Sequence, residues 1–223
     1  MMSSWLKNLM LKTKLQVKKI KNIVFDFGGV LLDLDIERSF IELALVLDMD
    51  TNDLQILVDK MMPYLSRYEK GEINSETFIW HVQKLTPKQV DPRELIAAWN
   101  AMLLGWNPLK LKQLEELGSK FNLYLFSNTN ELHMQWVLKD LRTNHGITDF
   151  DERFFKKAYY SYKVGKRKPD AETYQYILDD AGILAEESMF IDDTEQNAMA
   201  AGEAGFQAIH HPTNAGLEFL FEL

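Results

Sequence analysis

Three short apolar runs end on polar residues, and a helical pattern stands beside each. "NIVFD" ends at Asp26, "NLYLFSNTN" reaches Ser127 and Asn128, and "SMFIDD" ends at Asp192 and Asp193. Each is too short for a buried helix and the right length for a buried strand. "PLKLKQLEELGSKF" spaces leucines at 109, 111, 114 and 117 and offers Gly118 as a stop. "DAETYQYILDDAG" opens on Asp170 as a cap, with Glu172 in its first turn, and stops at Gly182. "TEQNAMAAGEAG" is alanine-rich, ends at Gly205 and has Thr194 as its candidate cap. Strands alternating with helices predict an α/β fold, with a parallel sheet covered on both faces. Ligands in such sheets sit beyond the carboxyl ends of the strands. Asp26, Ser127, Asn128, Asp192 and Asp193 are therefore expected to meet at one sheet edge.

Residues 36–106 have a different rhythm. "IERSFIELALVLD", "NDLQILVDKMMPYLSRYEKG", "NSETFIWHVQKL" and "DPRELIAAWNAML" all carry helical periodicity. They predict four helices inserted as a unit, leaving 22–35 and 107–223 for the sheet domain. Asn74 or Ser75 caps the third helix, and Pro92 sits just inside the fourth behind Asp91. Met61, Met62, Trp80, Trp99 and Trp106 are expected in the core and seam of this unit, with a pocket wall as the alternative.

Charge narrows the function classes. The net charge of −8 argues against a nucleic-acid partner. Six of the 25 basic residues, and none of the 33 acidic ones, fall in residues 1–21. That stretch reads as a basic N-terminal extension, with a membrane-surface helix as the alternative. Lysines interrupt it too often for a signal peptide. No stretch approaches the ~20 apolar residues of a membrane span, and a cytoplasmic protein is expected. With no cysteine, disulfides, thiolate zinc sites and a cysteine nucleophile are excluded. Any metal must be held by oxygen or histidine.

A cluster of Asp26, Asp192 and Asp193 needs a cation between its members, because like charges at close range raise each other's pKa. A hard divalent cation and a lysine would also let an anionic nucleophile approach an anionic phosphoryl group. Gly28 and Gly29, just after Asp26, allow backbone groups to come close. Taken singly, each piece has a plainer meaning. Asp192–Asp193 reads as a cap for the following helix. Lys168–Pro169 reads as a surface loop and Ser127–Asn128 as a turn. Asp33 and Asp35 read as helix-entry residues, His133 and Trp136 as helix surface and core, and His210–His211 as a loop.

Taken together, four motifs in order resemble the haloacid dehalogenase-like hydrolase superfamily: "IVFDFGGVLLD", "LYLFSNTN", "VGKRKPDAETY" and "MFIDDTEQNAMAAGEAG". The resemblance implies a three-layer Rossmann-like core with a helical cap inserted after the first motif. The long interval from Asp26 to Ser127, against the short one from Ser127 to Lys168, matches that cap position. It implies Asp26 as the nucleophile that forms an aspartyl-phosphate. Mg²⁺ would be held by the Asp26 carboxylate, the Gly28 carbonyl and the Asp193 carboxylate, with Asp192 beside it. Ser127, Asn128 and Lys168 would hold the phosphoryl oxygens, and Lys168 counts with Asp26 as catalytic. The implied substrate is a small phosphorylated metabolite, with sugar phosphates one candidate group.

Phosphatases of that family usually carry a second aspartate two residues after the nucleophile, where this chain has Gly28. A glycine carbonyl can bind Mg²⁺ but cannot transfer a proton. General acid–base help is worth about 10²–10⁴ in rate. Three outcomes stay open: a better leaving group, a stand-in from water or the cap, or a catalytically weak phosphoryl-binding protein. A branch resembling sugar-phosphate phosphatases with "DLGNV"-like first motifs shares the glycine. A 2-haloacid dehalogenase fits less well, since the resemblance would then imply an uncharged pair in place of Asp192–Asp193 and an aromatic residue in place of Gly28. Arg67, Tyr68 and Lys70, near Gly71, are the specificity candidates in the cap.

Overall fold

The structure, a computed structural model, describes residues 20–222. The lysine-rich extension therefore lies outside the described residues, apart from Ile20 and Lys21. The three apolar runs are strands β1 (Asn22–Phe25), β4 (Asn122–Ser127) and β6 (Ser188–Asp192). They pair in parallel, with Val24 level with Tyr124 on one side and Phe190 on the other. The edge strands β5 (Lys157–Tyr160) and β7 (Gln207–His210) complete a five-stranded sheet in the order β5-β4-β1-β6-β7. These two went unseen in the sequence. An edge strand has one neighbour and buries less, so "KAYY" and "QAIH" lack a continuous apolar run.

Side chains alternate across the sheet with the period of two that strand geometry imposes. Ile23, Phe25, Leu123, Leu125, Met189 and Ile191 join one hydrophobic cluster, while Val24, Tyr124, Phe126 and Phe190 join the other. The first face packs on α5 (Pro108–Gly118), α6 (Glu131–His145) and α7 (Phe150–Phe154). The second packs on α9 (Ala171–Ala181), and Ala201 of α10 (Glu195–Glu203) joins the same cluster. Burial on both faces is why the central strands are apolar throughout, each large side chain contributing roughly 1.5–3 kcal/mol. The result is the expected three-layer α/β core. Among the described residues no helix is long and apolar enough to cross a membrane.

After β1 the chain enters a two-stranded antiparallel ribbon, β2 (Leu32–Leu34) with β3 (Leu103–Trp106). Between them run α1 (Ile36–Val46), α2 (Leu54–Glu69), α3 (Ser75–Gln83) and α4 (Pro92–Trp99). Leu103–Trp106, at the end of the stretch whose periodicity predicts helix, form a strand instead. The helix starts follow capping chemistry. Asp35 accepts from Arg38 N, Asn74 from Thr77 N and Asp91 from Arg93 N. Asp33 does not cap. It pairs with the buried Lys110 ammonium at 2.8 Å. Leu43, Leu57, Phe78 and Trp99 belong to the first-face cluster, so one apolar core runs from the sheet into these helices. Met61, Trp99 and Trp106 are buried in it, whereas Trp80 is exposed. Gly182 and Gly205 end their helices at positive φ, but Gly118 lies inside α5 in ordinary helical geometry.

Candidate active site

The parallel register brings the polar strand ends together. Asp26 follows β1 directly, and its amide donates to Ile191 O at 2.7 Å, which extends the ladder by one residue. Asp192 is the last residue of β6. Lys168 arrives from the loop between the short helix α8 (Ser161–Val164) and α9. Its ammonium donates to Asp26 Oδ1 at 2.6 Å, to Asp192 Oδ2 at 2.6 Å and to Phe126 O at 3.0 Å. All three of its protons are therefore used, in a site where Lys168 is 1% exposed.

The remaining oxygen of Asp192 accepts from Thr194 N at 2.9 Å and Asn197 Nδ2 at 3.0 Å. Asp192 thus holds the turn into α10, while Thr194, the expected cap, makes no side-chain capping bond. Asn128 fixes the lysine's backbone: its amide donates to Lys168 O, and its Oδ1 accepts from Lys168 N, both at 2.9 Å. The loop cannot shift without breaking this pair.

Charge is concentrated here. Burial pushes the Asp26 carboxyl up to about 7, against the opposing pull of Lys168. Burial alone would push Lys168 down, but the Asp192 and Asp26 carboxylates reverse that and hold it firmly protonated. Asp193 is half-buried and its carboxyl is raised by burial. It accepts from Thr213 Oγ1 at 3.0 Å. Carboxylate oxygens of Asp26, Asp192 and Asp193 lie within 4.8 Å of one another. Three hard oxygen donors at that spacing suit Mg²⁺. The cradle is also tight: a Cβ on Gly29, at φ +76°, would meet Asp193 Oδ2 at 2.1 Å.

A cavity of about 290 Å³ opens over these groups, lined by Asp26, Gly28, Asn128, Lys168, Asp193 and Arg167 among others. A second cavity of about 280 Å³ adjoins it and shares Gly28, Leu34, Ile36 and Asn128. Ser127 lines this second, mainly apolar space rather than the first. His133 is there too. It is buried, stacked on Trp99 with ring centroids 4.8 Å apart, and hydrogen-bonded through Nδ1 to Asn100 Oδ1 at 2.8 Å. Burial holds its imidazole down to about 3.

Of the specificity candidates, Arg67 pairs with Glu72, and Lys70 with Asp170. The buried Tyr68 hydroxyl bonds Ser75 and Leu132 N. None of the three lines either cavity. Arg167, Asn197, Thr213 and Leu34 went unnoticed in the sequence. Arg167 stands next to Lys168 and pairs with Glu69 of α2. Its adjacency was the only signal, and for Thr213 and Leu34 there was none.

A model of the haloacid dehalogenase-like hydrolase family matches residues 20–205. D-ribitol-5-phosphate phosphatase of Bacteroides thetaiotaomicron is 30% identical over 203 residues, which are 88% of this chain and 94% of that protein. A sesquiterpene phosphatase of Aspergillus oryzae is 26% identical over 85% of this chain and 89% of its own length. Among solved structures, a HAD-family enzyme from B. thetaiotaomicron in complex with magnesium and inorganic phosphate superposes with a TM-score of 0.79. It is 32% identical, with 91% of this chain and 99% of that one covered.

Proposed function

The chain belongs to the haloacid dehalogenase-like hydrolases, and from that membership we propose that it is a Mg²⁺-dependent phosphatase of small phosphomonoesters, working through an aspartyl-phosphate on Asp26. The observation that carries the proposal is the Lys168 ammonium, 2.6 Å from both Asp26 and Asp192, with Asp193 within cation-bridging range. Asp26 attacks phosphorus, and the leaving oxygen departs with its electron pair and takes a proton from water. A water then attacks the phosphoryl group, and inorganic phosphate leaves Asp26 free. Lys168 opposes the effect of burial on the Asp26 carboxyl and orients it for attack. Asn128 holds the Lys168 backbone in place. Mg²⁺, held by Asp26, Asp193 and the Gly28 carbonyl, would neutralise charge on the phosphoryl oxygens. The helices of 36–106 serve as the cap that excludes water and selects the substrate.

The names of the relatives lend support to a phosphatase. A second reading, a catalytically weak phosphoryl-binding protein, has one observation in its favour. Position 28 carries no proton donor, and the tip of the Leu34 side chain stands beside it. A panel of phosphomonoesters assayed with Mg²⁺ and with a chelator separates the two. The phosphatase should turn over at least one ester, lose activity on chelation, and lose on the order of 10⁴-fold or more in Asp26→Asn. No turnover of any ester with Mg²⁺ present would leave the binding protein.

A further inference from the structure

The second cavity reports on the organic half of the substrate. It opens from the phosphoryl site across Gly28, Leu34, Ile36 and Asn128, where a leaving group must lie. Its wall is apolar, with Leu34, Phe40, Val58, Met62, Leu65 and Trp99 prominent. Three of the polar side chains there are engaged, while among the described residues the Ser127 and Thr129 hydroxyls, which also line it, make no hydrogen bond. Glu69 is paired with Arg167, both ends of the Asn128 amide hold the Lys168 backbone, and His133 is tied to Asn100. A polyol brought here would bury hydroxyls with few partners, which selects against it. A flat ring would meet an aromatic wall, since Phe27, Phe40 and Trp99 line the space. An apolar cavity of roughly 150 Å³ is enough for benzene, so about 280 Å³ takes a substituted ring.

The chemistry of departure points the same way. Titratable groups lining the two cavities are Asp26, Asp193, Lys168, Arg167, Glu69 and His133. Lys168 has spent its protons on three acceptors, Arg167 holds Glu69, and Nδ1 of the neutral His133 faces Asn100. Position 28, beside Asp26, carries no acid, and the one lining carboxyl outside the Asp26–Asp192–Asp193 cluster, Glu69, is raised by burial but already paired with Arg167. A phenolic oxygen, whose conjugate acid has a pKa near 10, leaves as an anion far more readily than an alkoxide.

We infer that the substrate is an aryl phosphate, the phosphate ester of an apolar phenol, with its ring in the cavity walled by Phe40, Val58, Met62 and Trp99. The inference rests on the phosphatase proposal for its catalytic half, while ring binding stands apart from it. Unreactive phosphonates, titrated with Mg²⁺ by calorimetry, test the cavity. Phenylphosphonate should bind about tenfold or more tighter than ethylphosphonate, and small 4-alkyl groups should add roughly fourfold per methylene while room lasts. Val58→Asn should shrink the phenyl-to-ethyl ratio. Equal binding of the two phosphonates, or tighter binding of ribitol 5-phosphate than of phenyl phosphate, overturns the inference. Turnover of ring-substituted phenyl phosphates tests the departure step, where kcat should rise steeply as the phenol becomes more acidic. A flat dependence also overturns the inference, because the leaving oxygen is then being protonated. If no ester turns over at all, the phosphatase proposal falls and the phosphonate series alone decides what the cavity binds.

Discussion

Leu34 occupies the space that a side chain at position 28 would need. A Cβ built on Gly28 would stand 2.4 Å from Leu34 Cδ1, far inside van der Waals contact. The missing acid two residues after Asp26 is therefore matched by packing. The ribbon strand β2 turns an apolar side chain into the place where an aspartate would stand.

Gly28→Asp should push the Leu34 tip aside and destabilise the fold by about 1 kcal/mol, the low end of overpacking, because only a flexible side-chain end stands in the way. Adding Leu34→Ala opens the space and should recover part of that loss. The non-additivity is read from urea unfolding of the two single variants and the double variant. If Gly28→Asp unfolds at the same urea concentration as the parent, the packing account is wrong.

Lys168→Met removes the cation from between two buried carboxylates. Breaking a buried pair costs about 3–5 kcal/mol because the partner charge is stranded. The variant should be strongly destabilised at pH 8. It should regain stability toward acid, as Asp26, already raised by burial, takes up a proton. Thermal unfolding against pH checks both the loss and its slope.

His133 stays neutral when folded, held down to about 3, against 6.5 for the unexposed-to-burial value of a free histidine. Its folded pKa is the lower one, so between these values the unfolded chain binds more protons and stability falls as pH falls. The loss should accrue at up to about 1.4 kcal/mol per pH unit, starting near pH 6.5. His133→Gln should remove this component from the pH dependence of urea unfolding. An unchanged slope in the variant would show that His133 protonates freely in the fold.

Asp193→Asn should uncouple the protein from Mg²⁺. In the parent, saturating Mg²⁺ should raise the unfolding temperature, with about 2.7 kcal/mol expected at a hundredfold excess over Kd. The variant loses a hard oxygen charge and should show little shift. Without Mg²⁺ it should be no less stable than the parent, because one half-buried like charge has gone. Differential scanning calorimetry with and without Mg²⁺ measures both arms.

The sequence by itself determined the sheet and where its chemistry would gather. Buried parallel strands must be continuous apolar runs, and the polar residue that ends each run must lie at the carboxyl edge. Asp26, Asn128, Asp192 and Asp193 were legible for that reason, as were the helix caps at Asn74 and Asp91, whose hydrogen bonds are local. The edge strands "KAYY" and "QAIH" and the ribbon strand Leu103–Trp106 were not, because short strands with one neighbour leave little periodic signal. Only the tertiary structure decided which partners the site residues take. Asp192 serves Lys168 with one oxygen and the turn into α10 with the other. Ser127 faces an apolar cavity, and Leu34 closes the space beside Gly28. These contacts join residues far apart in the chain, and their energies depend on distances of a few ångströms that no local pattern encodes.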